Sequence, residues 1–401
     1  MSLYHKENLR MATLQNSVYF TIILLLGFFC SCGKTSIGDR KQIDVFQKQD
    51  SDIVNLSSIA TDITYIPLQT LEESIIPTIY SLKCNSKSII IQTFTELLFF
   101  NKSGGFLYKV SKQGRGLEEY VALKDFDTSE GNDSLLILSV DKILIYLLKD
   151  SGYVFSRSIH MPVDGPSQID LLPNRNNILL TYGNQDWDKP FRNLVIDFEG
   201  DTIRTRRNNF TYNGTRGPVT VIRNENIRYN FARTPYFKEI YNDTIYTIDQ
   251  FNNFKPHLVL YTHRKALKTR DRAKGKKLDT HEFVRFLNIF EGSRYFIYNY
   301  TYKALNHFVI YDKKLNIKYE LNDEQNLRDD ITGGVSFIPR FCCDEIMFSW
   351  IDASALKSYV SGEFFKQSIV KYPEKKKELK KLANNLKETD NPVLIMGSLK
   401  K

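Results

Sequence analysis

Histidine and cysteine are scarce and nowhere gathered. The six histidines (His5, His160, His257, His263, His281 and His307) are scattered along the chain. The five cysteines (Cys30, Cys32, Cys84, Cys342 and Cys343) form no C-x-x-C pair and lie near no histidine cluster. That argues against a zinc site, which needs closely spaced thiolate or imidazole ligands. Adjacent Cys342 and Cys343 would point to opposite faces of a strand, and at least one of them is expected to be buried. No Gly-x-Ser-x-Gly elbow, P-loop or His-Glu-x-x-His is present, so three common catalytic frameworks are excluded. The sequence points to no catalytic set, no metal and no cofactor.

Long apolar runs are also missing. The longest candidate, Val18 to Phe29, is broken only by Thr21 and Gly27. A dozen residues falls short of the ~20 needed to cross a bilayer, but suits the apolar region of a signal peptide. Phe29-Cys-Ser-Cys-Gly33 follows.

What the chain does have is strand-forming material. It has 401 residues, 42% hydrophobic, with 27 Phe and 23 Tyr, a composition that favours strands over helices. The clearest unit is Leu97–Tyr120. An apolar run ends at Asn101-Lys-Ser-Gly-Gly105, a second run covers Phe106–Val110, and the unit closes on Gln113-Gly-Arg-Gly116 and Glu118-Glu-Tyr120. Ile63–Leu68, Ile75–Tyr80 and Ser88–Thr93 read as strands before it. The same pattern recurs around Lys149-Asp-Ser-Gly152 and Asp197-Phe-Glu-Gly200-Asp201. Gly104, Gly152 and Gly200 are each 48 residues apart, and each ends an apolar strand where a turn often requires positive φ. Short strands repeating at this period predict a β-propeller blade. Ile63 to Ile351 is the length of six such repeats, so the fold class is all-β, a six-bladed propeller. Val335–Ile338 and Glu345–Ile351 begin the last repeat.

Two insertions depart from the repeat. Arg264 to Lys277 carries eight basic residues against Asp271, and reads as an exposed connection or an anion-binding segment. It lacks the interleaved aromatics that stack on bases, which excludes nucleic acid as its partner. Ser354–Asp390 reads as helical, with Leu379, Leu382, Ala383 and Leu386 on one face. Val393–Met396 is the final strand, expected to close the ring against the start of the domain and so remove an exposed sheet edge.

Certain residues resemble known sequences. Phe29-Cys-Ser-Cys32 resembles a loose bacterial lipobox, with Cys32 as the acylated residue; the alternative is an ordinary cleaved signal peptide. Tyr65-Ile-Pro-Leu68, Leu98–Leu107, Gln113-Gly-Arg-Gly116 and Glu388–Met396 resemble the six-bladed propeller lipoproteins of Gram-negative anaerobes, which are mostly of unknown function. The second and third stretches are also similar to an NHL-type or TolB-like repeat, in which a Gly-x-Gly turn links blades. The usual Gly-Pro-Gly-Glu-Tyr linker stands in this chain as Gly116-Leu-Glu-Glu-Tyr120. The resemblance implies residues 1–31 as a signal peptide, 32–60 as a polar tether and 61–401 as the propeller. It also implies a lipid anchor in the cell envelope, most naturally on the outer membrane, at its periplasmic or surface face. It implies no catalytic residue.

Two local features could contact a ligand. In Tyr182-Gly-Asn-Gln-Asp-Trp-Asp188, Trp187 could stack on a sugar ring while Asp186 or Asp188 accepts its hydroxyls; the alternative is a polar turn. Arg115, between Gly114 and Gly116, could meet an anionic group; the alternative is a surface linker residue. The expected function is a membrane-tethered binding or scaffold module for a glycan, peptide or envelope protein. The competing expectation is a carbohydrate-active hydrolase or lyase on the same scaffold.

Overall fold

Middle strands made almost wholly of large apolar residues are the foundation of the architecture. Ser88–Gln92 (SIIIQ) and Leu97–Asn101 (LLFFN) are buried along nearly their whole length. That requires cover on both faces, as when one sheet stacks between two others. In the computed structural model, residues 41–47, 55–129, 131, 133–150, 152–172, 177–183, 189–211, 222, 224–272, 279, 281–321 and 327–401 are described. Their strands form six sheets, arranged as the blades of a six-bladed β-propeller. All of them lie within the compact unit Gln42–Lys401.

Each of the first five blades runs through four antiparallel strands in sequence order. Blade 1 covers 81–110, blade 2 125–160, blade 3 166–207, blade 4 226–261 and blade 5 285–321. The first strand of each lies nearest the axis. Blade 6 is built from both chain ends. Phe341–Cys343, Ile346–Ile351 and Val393–Leu399 pair in that order, and Ala60–Pro67 adds the outer strand. Tyr65 faces Ile395 and Pro67 faces Val393 in this register. The ring closure expected from sequence is therefore present. Pro67 ends the outer strand, where its missing N–H breaks no ladder.

The repeat glycines do what their spacing implied. Gly104, Gly152 and Gly200 have φ of 89°, 127° and 96°. At Gly104 a Cβ would also lie 2.2 Å from the Pro67 carbonyl oxygen, because this hairpin packs onto the outer strand of blade 6.

Several expectations are corrected. Residues 32–60 are not wholly a tether. Gln42–Asp44 pairs in parallel with Phe254–Tyr261 as a fifth strand on blade 4. Ile43 and Val45 are buried there, and the buried Lys318 ammonium of blade 5 donates to the carbonyls of Val45 (2.7 Å) and Gln47 (2.8 Å). The Ile43/Val45 alternation is too short to stand out as a strand. Ile75–Tyr80 is not a strand; a 3-10 turn, Glu72–Ser74, precedes it and blade 1 begins at Ser81. Val335–Ile338 contributes only one bridge, Leu327 to Phe337. The inner strands Ser81–Cys84, Asp125–Thr128, Pro166–Leu172 and Asn226–Phe231 carry too many polar residues to read as strands from pattern alone.

Cys84 and Cys343 form a disulfide with Cα atoms 6.2 Å apart. It joins the inner strands of blades 1 and 6, beside the closure. Cys342 is the free neighbour, turned to the other face by strand alternation, where its Sγ contacts the Asp344 carbonyl at 3.1 Å. The helical insertion comprises Ala353–Ser361, Glu363–Gln367 and Pro373–Asn385. Its buried residues Leu356, Val360, Phe365, Leu379 and Ala383 join the core of blades 5 and 6, and Ala353 is buried as well.

Candidate functional site

The Gly114-Arg-Gly116 loop binds itself. Gly114 N–H donates to the Tyr120 carbonyl (3.0 Å), and Gly116 N–H donates to Glu119 Oε2 (2.8 Å). Tyr120 is fully buried; its hydroxyl donates to the Thr95 carbonyl (2.6 Å) and accepts from Lys112 N–H (3.0 Å). Glu and Tyr are thus the residues that hold the blade linker in shape. A loop whose glycine N–H groups already have acceptors has no cradle to offer an anion. Arg115 stands exposed on this linker, between blades 1 and 2.

At the axis, inner strands bring five charged side chains together. Lys83 of blade 1 contacts Asp127 of blade 2 at 2.9 Å. Arg228 of blade 4 reaches across to Asp125 of blade 2 (2.6 Å) and Asp170 of blade 3 (3.3 Å). It also donates to the Ile169 carbonyl at 2.7 Å. Asp125 and Asp127 accept the N–H groups of Ile169 and Leu171, each at 2.8 Å. These bonds fasten blade 2 to blade 3. Burial disfavours the charged form of Asp125, but Arg228 and Lys83 outweigh it and hold this carboxyl below its ordinary range. For Asp170 burial prevails over the same two cations, and the carboxyl is raised. Its two oxygens accept no hydrogen bond. Asp125 and Asp127 are thus matched to fixed cations while Asp170 is not, and among the described residues no three His, Cys, Asp or Glu side chains are grouped to hold a metal.

A different arrangement lies between blades 3 and 4. Tyr182 ends the second strand of blade 3, and Arg192 and Asn193 begin the third. Asn226 starts the inner strand of blade 4, and Lys238 and Glu239 end its second strand. Together they line a small cavity of about 10 Å³, room for about one water molecule. Arg192 is only 2% exposed. Its Nη1 donates to the Tyr182 carbonyl (3.1 Å), which also accepts from Asn226 Nδ2 (2.9 Å). Among the described residues, Nε and Nη2 of Arg192 have no hydrogen-bond partner, and neither does Asn226 Oδ1. Glu239 stands 3.8 Å from Arg192 Nε, and its carboxylate is engaged by Arg206 of blade 3's outer strand. Lys238 donates to the carbonyls of Glu239 (3.2 Å) and Asn242 (2.9 Å). Burial lowers its ammonium to about 8, against the pull of Asp243 and Glu239.

Among the described residues, no other sequence candidate lines this pocket. Trp187, Asp186 and Asp188 lie outside the described residues, as does Cys32. In the chain, Trp187 belongs to the connection between Asn177–Tyr182 and Phe191–Ile196, the two strands that supply Tyr182 and Arg192. Of the basic segment, residues 264–272 are described; Leu267 is buried and packs with Tyr241 and Phe283. Lys274, Lys276 and Lys277 lie outside. Arg192 itself was overlooked in the sequence. Its signal is a cation inside an otherwise apolar strand, Phe191-Arg-Asn-Leu-Val-Ile196, since full burial of Arg is rare.

The chain is similar in fold to two crystal structures from Bacteroides. One, a candidate exported protein of Bacteroides fragilis, superposes with a TM-score of 0.66 at 17% identity, covering 90% of this chain and 99% of that one. The other, a member of the DUF4221 family from Bacteroides vulgatus, gives a TM-score of 0.47 at 10% identity, covering 85% and 97%. No curated protein matches the chain. The model of a domain of unknown function, DUF4934, matches residues 40–398, and the chain belongs to that family.

Proposed function

We propose that the protein is an exported binding module, tethered to the bacterial envelope by a lipid on Cys32, with an NHL-like propeller that presents a ligand site. The observation that carries this reading is the contrast between its two polar centres. Of the axial carboxylates, Asp125 and Asp127 are spent on Arg228, Lys83 and backbone N–H groups. The pocket between blades 3 and 4 has a mixed lining and holds buried polar atoms of Arg192 and Asn226 that have no hydrogen-bond partner among the described residues. Ligand sites are built from a few such polar groups held on a rigid frame. Export is supported by the apolar run before Cys32 and by the name of the Bacteroides fragilis structure; the tether rests on the lipobox-like residues around Cys32. The Cys84–Cys343 disulfide also suits an oxidising compartment.

A glycan, a peptide or another envelope protein is the partner class. A second reading, a carbohydrate-active hydrolase or lyase, draws on Asp170, a buried carboxyl raised by desolvation at the axis. One experiment separates the two. The purified full chain is incubated with acidic and neutral oligosaccharides and with peptides, and both retention and product mass are followed. The binding reading predicts saturable retention of a ligand recovered unchanged. New products that disappear in Asp170→Asn would overturn it. Metabolic labelling with a fatty-acid analogue is expected to mark the wild type and not Cys32→Ser; an unlabelled wild type removes the tether.

A further inference from the structure

We propose that the strap of residues 42–47, which bridges blades 4 and 5, is a pH-responsive latch: histidine–carboxylate pairs hold it firmly at acidic pH and loosen it as the histidines lose their charge. This goes beyond the binding-module reading and stands whether or not Cys32 carries a lipid.

Histidine is scattered in the sequence, but the fold gathers it. Among the described residues, every histidine–carboxylate contact lies in blades 4 and 5 or on the strap that joins them. His257, on the outer strand of blade 4, meets Glu291 of blade 5's inner strand at 2.9 Å. His263, just past that outer strand, meets Asp44 of the strap at 2.8 Å. His307, on the third strand of blade 5, meets Glu320 of its outer strand at 2.6 Å.

Two of these pairs act on the strap. The other oxygen of Asp44 accepts the Phe46 N–H (2.9 Å), so His263 holds the residue that shapes the strap's turn. Glu320 carries His307 on one oxygen and Lys318 on the other (3.0 Å). Lys318 is the buried ammonium that donates to the carbonyls of Val45 and Gln47. The strap has few other bonds. Its strand is three residues long, Gln42–Asp44, and beyond it the Val45 N–H donates to the Tyr261 carbonyl (3.0 Å). A short element with few ladder bonds opens locally at low cost, so its side-chain pairs carry much of its hold.

The charges give the sign. Burial alone would raise Glu291 and Glu320. His257 and Lys313 on the one, and His307 and Lys318 on the other, hold both below the ordinary carboxyl range. Histidine is the side chain that changes charge between about pH 5 and 8. Protonated, an imidazole on a carboxylate makes a charge-assisted bond, about twice as strong as a neutral one. Neutral, it keeps the hydrogen bond and loses the ion pair. The rings around the histidines are Tyr261 and Phe46 against His263 (4.3 and 6.0 Å), Tyr300 on His307 (4.5 Å) and Tyr236 on His257 (4.5 Å). Tyr229 also donates to Glu291 (2.9 Å). Arg264 follows His263 in the chain, and Lys313 and Lys318 sit on the far oxygens of Glu291 and Glu320. In each pair the carboxylate is the group in contact. The side chains of His263 and His307 are 48% and 23% exposed. Solvent therefore reaches both imidazoles, as a pH sensor requires, and screens each pair to a modest strength.

Amide hydrogen exchange of the full chain at about pH 5.5 and about pH 8, either side of the histidine range and corrected for the intrinsic pH dependence of exchange, tests the latch. Protection of residues 42–47 is expected to fall about tenfold from the lower to the higher pH, while Leu97–Asn101 in blade 1 stays unchanged. His263→Gln and His307→Gln keep a hydrogen-bonding side chain without the charge. Each is expected to leave a fall of about threefold, and the double variant none. His160→Gln, at an exposed histidine in blade 2, is expected to behave as the wild type. Equal protection at the two pH values in the wild type, or a tenfold fall that persists in the double variant, would overturn the latch. Stronger protection at the higher pH would overturn its sign.

Discussion

Two aspartates show how differently neighbouring residues can be placed at this axis. Asp125 has Arg228, Lys83 and the Ile169 N–H around it and is held below the ordinary carboxyl range despite burial. A folded-state value below the unfolded one means that Asp125 stabilises the fold above about pH 4. That contribution is lost as pH falls through the lowered folded value. Asp170 is raised by burial, so its ionisation costs stability as pH rises through the unfolded value towards the folded one. Asp125→Asn is therefore expected to destabilise at neutral pH by about 3 kcal/mol, because it leaves the buried Arg228 short of a partner. Asp170→Asn is expected to be much milder. Urea unfolding of both variants at pH 7 checks this, and equal losses would show that Asp170 is a full partner of Arg228. None of these pairings was legible in the sequence. Asp125 and Arg228 are 103 residues apart, and nothing local in either strand announces the other. Arg192 was hidden for the same reason, since its surroundings come from two blades.

Among the elements, the middle strands were read well and most of the inner ones were not. Ile178, Leu179 and Leu180 are all fully buried, and such apolar runs declare themselves. Asp125–Thr128 and Asn226–Phe231 face the axis with charges that only neighbouring blades satisfy, so their hydrophobic pattern is broken. The glycine turns were legible because positive φ is a local demand. Val393–Met396 was expected as a closing strand; the structure extends it to Leu399 and gives it a stronger role. It is a middle strand of blade 6, paired on one side with Ile346–Ile351 and on the other with Ala60–Pro67. Asn391, buried beside it, also holds the Ile76 N–H (2.9 Å) and the carbonyls of Gln69 (2.9 Å) and Ser74 (2.8 Å). Deleting residues 391–401 is expected to abolish cooperative thermal unfolding. A transition at an unchanged temperature would contradict this closure.

The whole ring is closed twice, by strands at the rim and by a disulfide at the axis. Cys84 and Cys343 are separated by 259 residues, and linking them limits the unfolded chain, an effect of roughly 2–5 kcal/mol in native proteins. A reductant is therefore expected to lower the melting temperature of the wild type and to leave Cys84→Ser/Cys343→Ser unchanged; equal sensitivity of the two would contradict it. The sequence located neither the disulfide nor the pocket, because both depend on which blades become neighbours. It did carry the scaffold that brings them together. The central claim is that ligand recognition belongs to the seam of blades 3 and 4. Hydrogen–deuterium exchange of the full chain, with and without a retained acidic oligosaccharide, tests it most directly. The account predicts protection concentrated in residues 181–193 and 225–239. Protection confined to blades 1 and 2, around Arg115, would contradict it.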